Sequence, residues 1–161
     1  MALLRDYHAA VGELIIKYSG TLERYVGDGL MVVFNDPVPV DNPALRAVQM
    51  ALETRSALEA LMEKWRHLGH DVGFGIGIAH GYATLGTIGL EGRFDYAAIG
   101  TVSNLASRLC DEAKPRQTLI SPRVLMAVKN AVTAEPVGEF ELKGIRRPIA
   151  AHNVLSAAQS N

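Results

Sequence analysis

The sequence has little of several features that mark specialised classes of protein. Its single cysteine, Cys110, excludes an internal disulfide framework and a zinc site built from several cysteines. No apolar run reaches membrane-spanning length and no signal-peptide pattern follows Met1, so we expect a cytoplasmic protein. A net charge of −1 and an aromatic content of 6% argue against a nucleic-acid partner, which requires a basic surface and stacking aromatics.

What is present is typical of one globular domain. The chain has 161 residues, of which 48% are hydrophobic and 20% charged, so it is long enough to bury a core without cross-links. We expect the folded domain to occupy residues 1–155 and a flexible tail to occupy residues 156–161.

Helical and strand patterns alternate along the chain and predict an α+β fold in which helices cover one sheet. Asn42-Pro43 and Ser121-Pro122 have the composition of a helix cap followed by a first-turn proline. The predicted helices cover residues 2–18, 43–68, 102–113 and 122–131. The predicted strands cover residues 21–26, 30–34, 72–79, 82–90, 94–99, 118–120, 135–142 and 149–155.

An aspartate flanked by glycines lies between the first two predicted strands, in Val26-Gly27-Asp28-Gly29. A carboxylate held rigidly at such a turn suits a hard cation such as Mg²⁺, which binds through one or two carboxylates and substrate phosphates. Asp-Gly is also the strongest short hairpin signal, and taken alone a simple turn explains the segment better. The strand that follows, Leu30–Phe34, is predicted to be buried on both faces.

The predicted third helix carries an amide and a guanidinium on one face. Asn104 and Arg108 are four residues apart, whereas Leu105 and Leu109 point to a neighbouring face, toward the core. This pair suits an anionic, oxygen-rich partner such as a ribose triphosphate. Taken alone, the helix is better explained as an amphipathic helix with a solvated polar face.

A glycine-rich segment, Gly75-Ile76-Gly77-Ile78-Ala79-His80-Gly81, has some likeness to a phosphate-binding loop. It lacks the strand-to-helix context and the lysine of a P-loop. We interpret it as a strand against which another backbone packs closely, and His80 as structural.

The order and spacing of these segments resemble the catalytic domain of class III adenylyl and guanylyl cyclases. The resemblance covers about Ala2 to Leu155, and Ile99–Leu109 is its most specific part. The matching segments are Gly27-Asp28 with Leu30–Phe34, Gly77–Gly81, Tyr96–Arg108 and Leu142-Lys143-Gly144.

The resemblance implies a ferredoxin-like fold and a homodimer paired head to tail, with active sites across its interface. In this family two aspartates hold two Mg²⁺ or Mn²⁺ ions, and Asp28 matches the second of them. Asn104 matches the residue that orients the ribose, and Arg108 matches the arginine that stabilises the transition state from the partner subunit. Lys143 lies near the position from which a lysine approaches the triphosphate.

Two positions bear on the choice between ATP and GTP. Arg24 stands where adenylyl members usually have Lys and guanylyl members Glu, and a guanidinium only donates hydrogen bonds, which favours ATP. Strand alternation separates Arg24 from Glu23, so Glu23 does not replace it. The second position is Ala97, which has no polar side chain, and Asp95 would replace it only if the strand register bulges.

The family's first strand, with its Phe-x-Asp-Ile-x-x-Phe-Thr pattern and first metal-binding aspartate, has no match here, since Asp6 lies on a predicted helix. A fragment, a misassigned start and a degenerate relative all explain this. Because that strand is central in a ferredoxin-like sheet, its absence predicts a gap between its two neighbours, filled by altered pairing, by a swap with another copy, or by poor order.

The predicted function is conversion of ATP to 3′,5′-cyclic AMP and pyrophosphate by two-metal catalysis at the dimer interface. Because one metal aspartate is missing, we expect this chain to be weakly active or inactive and its parent protein, with regulatory domains, to be active. The alternatives are a catalytically silent cyclase-like domain that binds nucleotide or regulates a partner, and a guanylyl cyclase.

Overall fold

The computed structural model describes residues 2–26, 29–35, 38–70, 72–81, 84–90, 93–99 and 101–158. It confirms the predicted α+β class, with four helices and eight strands in these ranges. The elements are α1 (Ala2–Lys17), β1 (Thr21–Val26), β2 (Gly29–Val33), α2 (Pro43–His67), β3 (Ile76–Ile78), β4 (Thr84–Leu90), β5 (Arg93–Ile99), α3 (Thr101–Glu112), β6 (Thr118–Ile120), α4 (Pro122–Val128), β7 (Val132–Phe140) and β8 (Ile149–Ala157).

The strands form three hydrogen-bonded groups rather than the one sheet that the sequence predicted. A four-stranded sheet has the order β3-β6-β8-β7, in which β3 and β6 are parallel and the other pairs antiparallel. The hairpins β1–β2 and β4–β5 stand apart from it. Within the described ranges, β2 pairs only with β1 and β3 only with β6, so each has one edge that no described strand pairs.

Helices cover both faces of the four-stranded sheet. On one face, Val48 of α2 and Val124 of α4 pack with Ile120 and Val154 of the sheet. On the other face, Leu109 of α3 is fully buried against Leu119 and Ala151. The predicted covering of a sheet by helices is therefore confirmed for these four strands, and α3 is fixed to the sheet by its own apolar stripe.

A third cluster joins α1, α2 and the first hairpin. Val11, Leu14 and Ile15 of α1 pack against Met50 and Leu58 of α2, and the apolar side chains of β2 lie beside them. The side chains of β2 are only half-buried, so the prediction that this strand is buried on both faces was wrong. The side chains that pack with the helices, Leu30, Val32 and Phe34, are alternate residues and so lie on one face of the strand.

The two predicted helix caps hold the right positions without making the expected hydrogen bonds. Asn42 and Ser121 precede Pro43 and Pro122 at the N-cap positions, yet neither side chain bonds its helix. Asn42 adopts a left-handed conformation, with φ 49° and ψ 62°, instead of the extended one that capping requires. Ser121 is extended, but its hydroxyl is buried without a partner among the described residues.

The last strand continues past the predicted domain end. Ser156 pairs with Thr133, and β8 reaches Ala157, so the strand occupies the first two residues of the segment predicted as a tail. No helix in the described ranges combines the length and apolar character needed to cross a membrane.

A polar cluster ties the end of α1 to α2. Lys17 Nζ donates a hydrogen bond to Glu53 Oε1 at 2.6 Å, and the Tyr18 hydroxyl donates to Glu53 Oε2. These two bonds, that of Lys17 first, hold the pKa of Glu53 below its ordinary value of 4.5. Each bond to Glu53 also raises the pKa of its own donor, Lys17 or Tyr18. The charged form of Glu53 is therefore favoured in the folded chain.

The substitution Glu53→Gln is expected to lower the melting temperature at pH 7 by about 2 °C or less, because the cluster is solvent-exposed. Because the pKa of Glu53 is lower in the folded chain, its charged form stabilises the fold above pH 4.5. This stabilisation is lost as the pH falls through the folded-state pKa of Glu53. The difference between wild type and variant should therefore shrink below pH 4.5 in thermal melts recorded from pH 7 to pH 3. Glu63→Gln, at an exposed position of the same helix, serves as control, and a difference independent of pH would contradict the prediction.

Candidate functional site

Helix α3 presents the two predicted catalytic side chains beside its buried stripe. Leu109 is fully buried and Leu105 packs against the same core, as the sequence predicted. Asn104 and Arg108 are partly exposed, and the Arg108 side chain retains 36% of its accessible surface. The helix therefore holds an amide and a guanidinium rigidly at the surface, because its opposite side is locked into the core.

The glycine-rich segment confirms the predicted close approach of a second backbone, and that backbone belongs to α3. A Cβ built on Gly77 would lie 2.4 Å from both the Ala106 oxygen and the Cys110 nitrogen. One built on Gly75 would lie 2.7 Å from the Ala113 Cβ. Of the predicted strand over residues 72–79, only Ile76–Ile78 is a strand. The absence of side chains at Gly75 and Gly77 sets the depth at which α3 sits on the sheet.

A tight turn from Leu142 to Ile145 lies against the N-terminal half of α3. The Ile145 amide donates to the Leu142 carbonyl at 3.0 Å, and Gly144 has φ +85°. A Cβ on Gly144 would lie 2.7 Å from Asn104 Nδ2. Lys143 precedes Gly144 in this turn, and its side chain is exposed. The turn thus places Lys143 one residue from the contact between Gly144 and Asn104.

Arg108 has an acidic neighbour one turn further along α3. Arg108 Nη1 lies 3.6 Å from Asp111 Oδ2, and the Asp111 side chain is 64% exposed. Arg108 Nε is buried without a hydrogen-bond partner among the described residues. An exposed ion pair of this kind contributes little free energy in water. A more strongly binding anion can therefore replace Asp111 as the partner of the guanidinium.

The remaining predicted site residues lie on elements that adjoin α3 or outside the described residues. Arg24 is on β1 and Ala97 is on β5, where it is paired with Gly86; β5 contacts both β1 and α3. Asp28 lies outside the described residues, between the paired residues Val26 and Gly29. The structure therefore places the turn that carries Lys143 against Asn104, on the helix that also carries Arg108. The placement of the Arg24, Ala97 and Asp28 side chains stays a prediction.

The strand registers bear on two of the sequence arguments about base recognition. The pairing of β1 with β2 is irregular between Leu22 and Arg24, so the strict alternation that set Glu23 apart from Arg24 is interrupted there. The pairing of β4 with β5 is regular from end to end, so no bulge moves Asp95 into the register position of Ala97.

A metal site is not assembled by the described residues alone. Within the described ranges, no three His, Cys, Asp or Glu side chains lie together in a way that could hold a metal ion. A Mg²⁺ or Mn²⁺ ion bound through one or two carboxylates and substrate phosphates does not need such a group. Asp28 remains the one carboxylate that the sequence assigns to it.

Two features of the site were not assigned roles from the sequence. Gly144 belongs to the segment Leu142-Lys143-Gly144, which the sequence analysis matched to the family. Its contact with Asn104 joins residues forty positions apart, so no local sequence pattern indicates it. Asp111 follows Arg108 by three residues on a predicted helix, and that spacing was a usable signal for an ion pair.

Comparison with known protein families gives a match over almost the whole chain. Residues 1–156 match the family described as the adenylate and guanylate cyclase catalytic domain. Adenylate cyclase 1 of Rhizobium meliloti (strain 1021) is 29% identical over 163 residues, which cover 99% of this chain and 24% of that protein. The chain spans about a quarter of the length of the curated relatives it matches.

Solved structures of cyclases have the same fold. The adenylyl cyclase CyaB from P. aeruginosa matches with a TM-score of 0.89 and 33% identity, over 98% of this chain and 83% of that one. The guanylyl cyclase Cya2 matches with a TM-score of 0.87 and 29% identity, over 98% of this chain and 81% of that one. Similar proteins thus include cyclases of both nucleotide classes.

Proposed function

This chain belongs to the adenylate and guanylate cyclase catalytic domain family, and we propose that it converts ATP to 3′,5′-cyclic AMP and pyrophosphate. In this reaction the 3′-oxygen of the ribose loses its proton and bonds to the α-phosphorus, and the bond from that phosphorus to the pyrophosphate group breaks. The observation that carries the proposal is the surface of α3, which carries Asn104 and Arg108 one turn apart and packs Asn104 against the turn that bears Lys143.

Asn104 is proposed to orient the ribose. Its amide has both donors and an acceptor, so it can bond ribose oxygens in either role. Its helix is fixed to the sheet through Leu109, and the Gly144 turn lies against its side chain. A rigid contact of this kind aligns the 3′-oxygen with the α-phosphorus, and small errors in such alignment are costly to the rate.

Arg108 is proposed to stabilise the negative charge that develops on the α-phosphate. Its guanidinium is always charged and donates in a planar fork that matches phosphate oxygens. The exposed ion pair with Asp111 keeps it at the surface of α3 without committing its donors to a buried partner. Lys143 is proposed to contact the triphosphate as a point charge.

Asp28 is proposed to bind a divalent cation, Mg²⁺ or Mn²⁺, together with the phosphates of the substrate. When bound, the ion would lower the pKa of the 3′-hydroxyl and steady the triphosphate. Because this chain offers one matching carboxylate where its family uses two, we expect its activity to be low.

The preference for ATP rests on Arg24. A guanidinium there donates to adenine N1 but cannot accept from guanine N1–H, so ATP fits better than GTP. Ala97, at the second position, offers the base no polar side chain, and the regular register of β5 keeps Asp95 two positions away. The similarity to a guanylyl cyclase, Cya2, makes GTP the substrate to test beside ATP.

The active site is proposed to form between two copies of the chain paired head to tail. Asp28, Arg24 and Ala97 of one copy would face Asn104 and Arg108 of the other, so each dimer would contain two equivalent sites. In this arrangement the guanidinium and the metal carboxylate of each site would come from different copies.

The test is a cyclase assay on the purified chain with Mn²⁺ and either ATP or GTP. We expect low but measurable formation of cyclic AMP, and a loss of about tenfold or more in the Asn104→Ala variant, because the ribose loses its orienting contact. Asn130→Ala, an exposed asparagine after α4, is the matched control and should behave as wild type.

Other results would redirect the assignment. Cyclic GMP as the main product would make the domain a guanylyl cyclase. Nucleotide binding without any cyclic product would support the catalytically silent alternative. Equal rates for wild type and Asn104→Ala would remove Asn104 from the site.

A further inference from the structure

The turn from Leu142 to Ile145 requires a glycine at its third position. The Ile145 amide bonds the Leu142 carbonyl at 3.0 Å, and Gly144 has φ +85°. A positive φ at the third residue is the signature of a type II turn, and glycine adopts it without steric cost. The backbone conformation alone therefore explains a glycine at position 144, but it does not explain which side chain packs against that glycine.

Both ends of this turn are anchored to the core beneath α3. Leu142 is buried, and Ile145 packs against the cluster that contains Leu109. Leu105, the residue after Asn104, belongs to the same cluster. Because the turn and the helix share one apolar core, their separation is fixed, and Gly144 cannot retreat from α3 to make room for a side chain.

The space that a side chain would take at Gly144 is held by the amide of Asn104. A Cβ there would lie 2.7 Å from Asn104 Nδ2 and 3.8 Å from its Cγ, and no other atom of the described residues lies within 4 Å, apart from the two chain neighbours of Gly144. The conflict is therefore with one side chain alone, and it is with the group proposed to orient the ribose.

We propose that Gly144 is a positioning residue for Asn104. Its missing side chain lets the Asn104 amide lie against the turn, and a larger residue at position 144 displaces that amide from the ribose. The inference rests on the proposed function of Asn104. It adds that a turn forty residues away fixes the orientation of the Asn104 side chain.

The chain contains a close match for the backbone cost of replacing this glycine. Gly69, after α2, has φ +89°, and apart from its chain neighbours a Cβ there would meet none of the described residues within 4 Å. Gly144→Ala and Gly69→Ala therefore introduce the same backbone strain, and only the first meets Asn104. The comparison separates the contact from the strain.

The experiment measures binding of an ATP analogue with a methylene group between the α- and β-phosphorus atoms, which cannot release pyrophosphate. We expect Gly144→Ala to weaken binding about fivefold and Gly69→Ala to leave it unchanged. In an Asn104→Ala background, the added Gly144→Ala substitution should have no further effect, because the group it displaces is gone. Thermal melts of all variants show whether each is folded at the assay temperature.

If Gly144 had only a structural role, Gly144→Ala would lower the melting temperature, and its effect on analogue affinity would not depend on the presence of Asn104. Equal affinities for Gly144→Ala and Gly69→Ala, or an equal loss with and without Asn104, would overturn the inference. If wild type binds the analogue but forms no cyclic product from ATP, the proposed function is wrong, and the affinity measurements still decide the inference. If wild type binds no nucleotide, both are wrong.

Discussion

Replacing Arg108 with alanine is expected to lower the rate of cyclic nucleotide formation about a hundredfold or more. A preorganised donor aimed at charge that develops in the transition state contributes about 3 kcal/mol. Arg108 fits that role because α3 is fixed by Leu109 and the only ion pair that the structure gives its guanidinium, in the described ranges, is the exposed one with Asp111. The loss should appear mainly in kcat, since the contact strengthens as the reaction proceeds.

Two further variants separate the chemistry of Arg108 from its charge and from general surface effects. Arg108→Lys keeps the charge but loses the planar fork, so it should recover only part of the rate. Arg123→Ala, at an exposed position of α4, should behave as wild type. A rate for Arg108→Ala within threefold of wild type would show that this guanidinium does not face the reacting phosphate.

The same variant tests whether the site is shared between two copies. If Asp28 and Arg108 of one site come from different copies, Arg108→Ala and Asp28→Asn are each inactive alone but complement each other. A mixed dimer then has one intact site and one doubly defective site, so an equal mixture should regain about a quarter of the wild-type activity. No recovery on mixing would place both residues in the same copy or rule out Asp28.

The local features of the fold were predictable from the sequence. The apolar period of α1, the proline at the start of α2 and the strand pattern before Gly100 gave elements that agree with the structure to within two or three residues at most boundaries. These signals are local, because helix and strand periods and first-turn prolines depend on neighbouring residues.

The features that were not predicted depend on residues distant in sequence. The half-burial of β2 and the separation of the strands into three hydrogen-bonded groups depend on which elements pack and pair, and these elements are distant in sequence.

The candidate site divides in the same way. The shared face of Asn104 and Arg108 follows from helical spacing alone, and the structure agrees. The contact between Asn104 and Gly144 joins two elements that meet only through the core around Leu109, and no pattern within either segment indicates it. Sequence patterns therefore predicted which side chains share a face of α3, and the fold shows what holds them in place.

The substitution Gly77→Ala is expected to destabilise the chain by about 3 kcal/mol, because it overpacks a contact between two backbones. The added Cβ would lie 2.4 Å from the Ala106 oxygen and the Cys110 nitrogen, and 2.9 Å from the Leu109 carbonyl carbon. Ala106 and Cys110 are four residues apart in α3, so the methyl group would press on a backbone hydrogen bond of the helix. A flexible side chain could move aside, but backbone atoms can do so only if α3 itself shifts.

Thermal and denaturant unfolding measure this effect, with an expected fall of roughly 10 °C in the melting temperature. Gly12→Ala is the matched control, because Gly12 lies inside α1 and a Cβ there would meet none of the described residues outside its own helix backbone within 4 Å. This substitution should stabilise the helix by about 1 kcal/mol. Because α3 carries Asn104 and Arg108, the Gly77→Ala variant should also lose cyclase activity at temperatures where it remains folded. Full activity in a destabilised Gly77→Ala chain would mean that the depth of α3 on the sheet affects stability but not the position of the site.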